Sequence, residues 1–85
     1  MKIYYSTKFS REYKRLSLHL QELAEEKEII FCNNPFDPRL RTHALEGRFK
    51  GFWAFWIDYK NRIIFDFKEK GVVMFHSVGD HSIYR

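Results

Sequence analysis

The chain ends in VGDHSIYR, which places an imidazole, a phenol and a guanidinium within residues 81–85. Histidine transfers protons readily near neutral pH, because its unperturbed pKa is about 6.5. A second histidine, His43, precedes an aromatic-rich segment, so His43 and His81 are a candidate acid and base pair. From the residues alone, His43 can equally cap the proline-rich loop before it, and His81 can equally order the tail.

The whole formal net charge of +4 lies in one segment, residues 39–62. The segments before and after it carry equal numbers of basic and acidic residues, whereas this one opposes only Glu46 and Asp58 to six basic residues. These are Arg39, Arg41, Arg48, Lys50, Lys60 and Arg62. A localised positive segment is typical of proteins that bind a polyanion, although such clusters also occur on ordinary solvated surfaces.

The composition is typical of a single small domain spanning residues 1–85. Nine Phe, five Tyr and two Trp supply the apolar area for one core. The lone Cys32 excludes an internal disulfide, which favours a reducing cytoplasm. No apolar run approaches the roughly 20 residues that span a bilayer, and the N-terminal residues contain no apolar signal segment. We therefore expect no membrane partner. The His and Cys spacings fit no usual zinc site, so we expect no metal cofactor either.

Residues 6–32 show helical periodicity, after a short β-type run at residues 2–6. Apolar side chains recur every three or four positions, at Phe9, Tyr13, Leu16, Leu20 and Leu23. Ser6 or Thr7 is a suitable N-cap, and the stripe is interrupted near residues 17–19. We therefore predict two helices in an antiparallel hairpin, with one long kinked helix as the alternative. The segment NNPFDP ends the helical region, because proline cannot continue a helix.

From Gly47 onward the side chains alternate with period two, which predicts three strands. The strands are residues 47–59, 62–68 and 72–78, joined by turns at 60–61 and 69–71. In the first strand, Arg48, Lys50 and Trp56 share one face. Consecutive hairpin-linked strands form an antiparallel meander that packs one face on the helices. The predicted fold is therefore α+β, in the order β-α-α-β-β-β, with a helical hairpin packed on an antiparallel sheet.

Three motifs, taken in order, resemble the RelE/ParE superfamily of toxins from bacterial type II toxin–antitoxin systems. THALEGRFKGFWAF resembles the entry into the family's central strand, DYKNRIIFDF its turn and second strand, and VGDHSIYR its C-terminal motif. The likeness covers nearly the whole chain and is greatest to YafQ-like and related RelE-type messenger-RNA interferases. The lysine pair of RelE itself is absent, because Trp53 and Phe55 stand at the corresponding places.

The resemblance implies a ribosome-associated endoribonuclease that cuts messenger RNA in the decoding site and inhibits translation. In this reaction the ribose 2′-OH attacks the adjacent phosphate, leaving a 2′,3′-cyclic phosphate and a 5′-OH, and no metal cofactor takes part. The resemblance also implies a cognate antitoxin, encoded beside the toxin, that covers the active surface.

The same resemblance assigns candidate catalytic roles to four residues. His81 and His43 match histidines of the YafQ-like motifs and would transfer the protons. Arg62 matches the arginine of the turn and strand motif, where a guanidinium can hold phosphate oxygens; an ion pair with Asp58 is the alternative. Tyr84 matches the terminal tyrosine, which can stack on a base, donate a proton or close the core.

Further residues are candidate supports for that site. Three basic residues would extend a phosphate track, unless they are merely solvated: Arg48, Lys50 and Arg85. Trp56 can stack on a base or pack against the helices. Asp80 would orient His81 or cap the final turn, and His76 would be a supporting or a core residue.

Two other functions remain open at this point. A ParE-like toxin that inhibits DNA gyrase would share the fold but would need no histidine pair. A basic RNA-binding module without toxicity is the third alternative. The presence of both His43 and His81 favours the nuclease over the ParE-like toxin.

Overall fold

A computed structural model describes residues 1–85 and contains two α-helices and five β-strands, in the order β-α-α-β-β-β-β. The helices are α1, Thr7–Lys14, and α2, Leu18–Asn33. The strands are β1, Lys2–Tyr5; β2, His43–Ala44; β3, Trp53–Trp56; β4, Arg62–Glu69; and β5, Val72–Gly79. All five strands belong to one sheet, in the spatial order β1-β5-β4-β3-β2.

The helical region is divided where the sequence predicts a break. Ser6 caps the N-terminus of α1 and Ser17 that of α2, because each serine side chain accepts a hydrogen bond from the backbone N–H three residues further on, at 2.9 Å and 3.1 Å. Helix α2 ends at Asn33, two residues before the first proline. The predicted pair of helices is confirmed, and the single kinked helix is wrong.

The sheet is mixed, which corrects the prediction of a purely antiparallel sheet. Strand β1 pairs with β5 in parallel, from Lys2 opposite Val72 to Tyr5 opposite Phe75. The other three pairings, β5 with β4, β4 with β3 and β3 with β2, are antiparallel. Parallel neighbours need a long connection, which here is nearly the whole chain. The alternation of side chains within a strand does not predict which distant strand it pairs with. The α+β class and the layer of helices on a sheet are confirmed.

The long strand predicted for residues 47–59 is broken at its start. Gly47–Phe49 forms a 3₁₀ turn, and Gly47 and Gly51 have φ angles of 65° and 97°. Glycine adopts these angles without steric cost, so the chain bends here and becomes extended only at Trp53. Arg48 and Lys50 consequently lie on this turn, and the prediction that they share a strand face is wrong.

Aromatic side chains hold the helices on one face of the sheet. Phe31 of α2 lies 5.0 Å, 4.9 Å and 5.4 Å, between ring centroids, from Phe55, Phe65 and Phe75 of three adjacent strands. All four rings are completely buried, and burial of each contributes about 1.5–3 kcal/mol. Because side chains alternate along a strand, the neighbours of Phe55, namely Ala54 and Trp56, face away from the helices. Neither α1 nor α2 has the length and apolar character needed to cross a membrane.

Candidate active site

A pocket of about 300 Å³ lies at one end of the sheet, on the face opposite the helices. Six residues line it: His43, Trp56, Lys60, Arg62, His81 and Tyr84. They include all four residues that the sequence analysis assigned to catalysis, together with the candidate stacking residue. The structure therefore brings together residues that are up to 41 positions apart in the chain.

Three strands and the tail each contribute a side chain to this pocket. Arg62, the first residue of β4, lies opposite Trp56 of β3 and opposite Gly79 at the end of β5. His43 is on the edge strand β2, opposite Ala54 of β3. The tail leaves the sheet at Gly79, directly beside Arg62. The sheet register thus places the strand-borne groups at the point where the tail begins.

The hairpin turn between β3 and β4 orients Arg62. The Asp58 carboxylate accepts hydrogen bonds from the backbone N–H groups of Lys60 and Asn61, at 2.9 Å and 2.8 Å. Partial burial would raise the pKa of Asp58, but these bonds and one from the Asn61 side chain hold it below its usual value. The guanidinium of Arg62 donates to the backbone carbonyl of Asp58, at 2.7 Å. The predicted ion pair with the Asp58 carboxylate is therefore absent.

The charge of Arg62 consequently has no carboxylate partner in the structure. Partial burial lowers the pKa of its guanidinium, and the nearby Arg41 acts in the same direction, whereas Tyr84 and Asp58 oppose this effect. An arginine stays protonated despite such a shift, because its unperturbed pKa exceeds 12. A partly buried positive charge without a direct carboxylate partner at a pocket wall is suited to hold an anion.

Trp56 carries arginine side chains on its ring. The guanidinium carbon of Arg62 lies 3.9 Å from the ring centroid, and that of Arg41 lies 4.6 Å from it. Trp56 is partly exposed on the polar face and is not a member of the helix-facing core cluster. The alternative that Trp56 packs against the helices is therefore wrong.

His43 is exposed, and the preceding backbone selects its tautomer. Its Nδ1 lies 2.9 Å from the carbonyl oxygen of Arg41. A carbonyl can only accept a hydrogen bond, so Nδ1 carries the proton and donates it. In the neutral ring Nε2 then has a free lone pair. His43 thus contacts the end of the proline-rich loop through Nδ1 and leaves Nε2 able to accept a proton, so both of its predicted roles remain open.

The tail is ordered by a 3₁₀ turn at His81–Tyr84. Asp80 caps this turn, because its carboxylate accepts the backbone N–H of Ser82 at 3.0 Å, which lowers the pKa of Asp80. Of its two predicted roles, the structure shows the cap. Ile83 is 8% exposed, and a Cβ at Gly79 would lie 2.9 Å from its side chain. The tail therefore packs over a residue where only glycine leaves enough room.

Tyr84 anchors the other end of the tail. Its ring packs edge to face on Phe49, with centroids 5.9 Å apart, and lies 6.4 Å from the ring of His81. Burial raises the pKa of the Tyr84 hydroxyl, although the nearby charge of Arg62 opposes this effect. Arg48, a predicted phosphate contact, donates a hydrogen bond to the backbone carbonyl of Tyr84. Arg48 thus ties the tail to the 3₁₀ turn before β3.

Three other predicted residues lie outside the pocket. Lys50 is exposed at the end of the 3₁₀ turn, and Arg85 is exposed beyond Tyr84. His76 is partly buried on β5, where its Nε2 lies 2.7 Å from a carboxylate oxygen of Asp66. It belongs to a cross-strand pair in the middle of the sheet and does not contact the pocket.

The sequence analysis missed two basic residues of this region, Lys60 and Arg41. Lys60 lines the pocket from the hairpin turn, and Arg41 lies over Trp56 beside it. Both are in the segment that carries the net charge, which was the available signal. The positions of these two side chains depend on strand register and turn shape, which the alternating pattern does not specify.

The molecule has a second, larger cavity, a groove between the two helices with a volume of about 700 Å³. Its lining is partly apolar, including Tyr5, Tyr13 and Ile29, and partly acidic, including Glu25 and Glu28. No group of three or more His, Cys, Asp or Glu residues anywhere in the chain is arranged to hold a metal ion.

Comparisons with solved structures identify proteins of the same fold. YafQ from E. coli strain BL21(DE3) superposes with a TM-score of 0.81 at 18% sequence identity, over 98% of this chain and 96% of that one. A YoeB/ParE toxin from Agrobacterium tumefaciens gives 0.80 at 18% identity, over 95% and 99% of the two chains. The E. coli DinJ-YafQ toxin–antitoxin complex contains a chain that matches at 0.70 and 18% identity, over 96% and 93%.

Comparison with protein families is more specific. No curated protein matches the chain significantly. The family described as bacterial toxin of type II toxin-antitoxin system, YafQ, matches residues 1–84. Because this match extends over all but the last residue, the chain belongs to the YafQ family of toxins from bacterial type II toxin–antitoxin systems.

Proposed function

We propose that this toxin is an endoribonuclease that cleaves messenger RNA on the ribosome in the cytoplasm and so inhibits translation. The observation that carries the proposal is the pocket of about 300 Å³ in which two histidines, a tyrosine and an unpaired arginine meet. Cleavage of a phosphodiester bond by the neighbouring 2′-OH needs a base, an acid and a positive charge that stabilises the negative charge developing on phosphate. The side chains of this pocket supply all three without a bound cofactor.

In the proposed reaction, His43 is the general base. Its Nδ1–H is engaged with the carbonyl of Arg41, so Nε2 is free to take the proton from a ribose 2′-OH. The 2′-oxygen then forms a bond to the adjacent phosphorus, and the bond from phosphorus to the 5′-oxygen breaks. His81 in its protonated form gives a proton to that leaving oxygen. The products are a 2′,3′-cyclic phosphate and a 5′-OH.

Arg62 and Lys60 stabilise the negative charge that develops on phosphate in this reaction. Arg62 is held from behind by the carbonyl of Asp58 and by the ring of Trp56, so its remaining N–H groups can point into the pocket. Preorganised donors of this kind contribute roughly 10²–10³ to the rate of related reactions. Tyr84 remains protonated near neutral pH, since burial raises its pKa, and it can donate a hydrogen bond to the substrate.

The proposal includes a cognate antitoxin as the protein partner. E. coli YafQ, a member of the same family, has been solved in a complex with DinJ. An acidic segment of the antitoxin would cover residues 39–62 and the tail, because all of the net positive charge lies there. Reversing the charge at Lys50 and Arg62 together should then weaken antitoxin binding, and an unchanged affinity would exclude this mode of inhibition.

Pulse labelling during expression without antitoxin tests the proposed function in cells. Incorporation of labelled amino acids should stop early, while DNA synthesis continues at first. The competing function, inhibition of DNA gyrase, predicts the reverse order. DNA synthesis that collapses while protein synthesis continues would reject the ribonuclease, and the His81→Gln variant should lose the effect on translation.

A further inference from the structure

Three side chains form a row across the end of the sheet on its polar face. Trp56 of β3 lies directly opposite Arg62 of β4. On its other side, β3 pairs with β2 through His43 opposite Ala54, and continuing this antiparallel register by two residues places Arg41 opposite Trp56. The distances agree with this row, since the two guanidinium carbons lie 4.6 Å and 3.9 Å from the indole centroid. Arg62 thus approaches the ring from β4, and Arg41 approaches it from the turn that precedes β2.

Neither arginine of this row has a direct ion-pair partner, although the nearby charge of Asp58 partly offsets that of Arg62. Arg39, by contrast, pairs with the Asp37 carboxylate at 2.9 Å. Arg48 and Arg62 each donate to backbone carbonyls, which carry no formal charge. Arg41 and Arg62 form no ion pair with any carboxylate. Two like charges beside one indole repel each other, and a bound anion would relieve that repulsion.

Arg41 has a left-handed backbone conformation, which favours a functional role for its side chain. It is the only residue other than glycine with a positive φ, at 52° with ψ at 39°. This left-handed conformation costs an ordinary residue roughly 1–2 kcal/mol, and glycine would adopt it freely. Both backbone groups are engaged, the N–H with Pro38 and the carbonyl with His43. Strain of this kind concentrates at functional positions, and here only the guanidinium is left without a structural partner other than the indole.

We infer that Arg41 is a second phosphate-binding residue, which contacts the RNA backbone at a phosphate next to the one that is cleaved. The inference rests on the proposed ribonuclease. Arg41 does not line the pocket itself, so its phosphate is a neighbour of the scissile one rather than the same group. Trp56 acts as the spacer that sets the two guanidinium groups apart. Contacts to phosphate position RNA without reading its sequence, so Arg41 contributes affinity and register rather than base preference.

The test measures binding separately from cleavage. The full chain is titrated with a short single-stranded RNA in which every 2′-OH is methylated, so that it cannot be cleaved, over a series of salt concentrations. Each phosphate contact adds about 0.7 to the slope of log affinity against log salt concentration for a single strand. Arg41→Gln should therefore lower the slope by about 0.7. Arg41→Lys should retain it, because the charge is kept.

Arg15→Gln is the matched control, since Arg15 is an exposed arginine at the end of α1 and does not line the pocket. An unchanged slope in Arg41→Gln, or an equal loss in Arg15→Gln, would overturn the inference. Cleavage on ribosomes is measured in parallel with the wild-type chain. If the wild type cleaves normally and the slope of Arg41→Gln is unchanged, only the role of Arg41 is rejected. If the slope of Arg41→Gln falls but the wild type does not cleave, phosphate binding by Arg41 is supported and the ribonuclease is rejected.

Discussion

The groove between the helices and the pocket at the end of the sheet differ in size, charge and origin. The groove is the larger, at about 700 Å³, and its side chains come from residues 5–33. Its carboxylates are partly engaged within the protein, since the hydroxyl of Tyr5 bonds to Glu28. The pocket has about 300 Å³ and contains two histidines, an arginine and a lysine but no carboxylate. The groove has two carboxylates against one lysine, Lys14, so an RNA phosphate would be attracted to the pocket rather than to the groove.

If the proposed function is correct, the chemistry of the lining side chains, rather than the volume, distinguishes the functional surface from the groove. The groove is formed by neighbouring segments that pack for stability, whereas the pocket needs β2, β3, β4 and the tail to meet at one sheet end. Groups that meet only through tertiary contacts are held in one arrangement by the whole domain, as preorganised catalysis requires. The predictions that follow set changes in the pocket against changes outside it.

Arg62→Ala should have the largest effect of these changes, a loss of about 10²–10³ in cleavage rate, because it removes the charge that stabilises the transition state. Arg62→Lys should recover only part of the activity, since an ammonium cannot reproduce the paired geometry of a guanidinium. Cleavage of messenger RNA on stalled ribosomes is the measurement. Arg39→Ala is the control, because Arg39 lies in the same charged segment but is paired with Asp37. An equal loss in Arg39→Ala would show that positive charge anywhere in the segment has the same effect and that the pocket has no special role.

Arg48→Ala should have an intermediate effect, a decrease of about 1 kcal/mol in the free energy of unfolding and a loss of roughly tenfold or less in cleavage. The reason is that Arg48 holds the carbonyl of Tyr84, and a looser tail positions His81 less well. Urea unfolding and the cleavage assay measure the two effects. If stability is unchanged while RNA affinity falls, Arg48 contacts phosphate, as its place in the basic segment first suggested.

Glu12→Gln tests whether α1, a wall of the groove, also supports the strand that leads to the pocket. Glu12 accepts hydrogen bonds from Ser77 and from the backbone N–H of Val78, at 2.7 Å and 3.1 Å. Burial acts to raise the pKa of Glu12, but these bonds and Lys8 lower it overall. The carboxylate therefore stabilises the fold above the ordinary glutamate pKa of about 4.3, and this stability is lost as the pH falls through the lower folded value.

For this variant we expect a cost of about 1 kcal/mol at pH 7 and only a small change in cleavage. Unfolding curves at neutral and acidic pH measure the difference between wild type and Glu12→Gln, which should shrink as the acid protonates Glu12. A difference that stays constant with pH would show that the charge of Glu12 does not support the contact between α1 and β5.

Ile29→Ser should have the smallest effect, with cleavage within about twofold of wild type, because Ile29 lines the groove and is 65% exposed. The assay is the same ribosomal cleavage, run beside a thermal melt. A large loss of cleavage with an unchanged melting temperature would place part of the substrate in the groove and would remove the contrast between the two regions.

Much of the fold could be predicted because its signals are local. The helical stripe and the serine at each helix start lie within a few residues of each other, so the break at Ser17 was visible. The parallel pairing of β1 with β5 was not, because it joins residues 70 positions apart through backbone groups that every residue shares. The 3₁₀ turn at Gly47–Phe49 was hidden as well, since its side chains continue the alternating pattern although its backbone does not extend.

The candidate site was predictable where a motif marked a residue and unpredictable where only geometry did. His43, Arg62, His81 and Tyr84 stand in recognisable motifs, and the structure places them in one pocket. Arg41 belongs to no motif, and its relation to Trp56 follows from sheet register. Their catalytic and binding roles stay predictions until activity is measured.

The most direct test of the central claim is the rate of messenger-RNA cleavage by His81→Gln on stalled ribosomes. Glutamine keeps the size and hydrogen bonding of histidine but cannot transfer the proton, so we expect a loss of about 10²-fold or more with little change in melting temperature. His19→Gln, at an exposed position on α2, should cleave like the wild type. Full cleavage by His81→Gln, or activity lost only in proportion to a large fall in melting temperature, would contradict a catalytic role and leave the tail as a structural element.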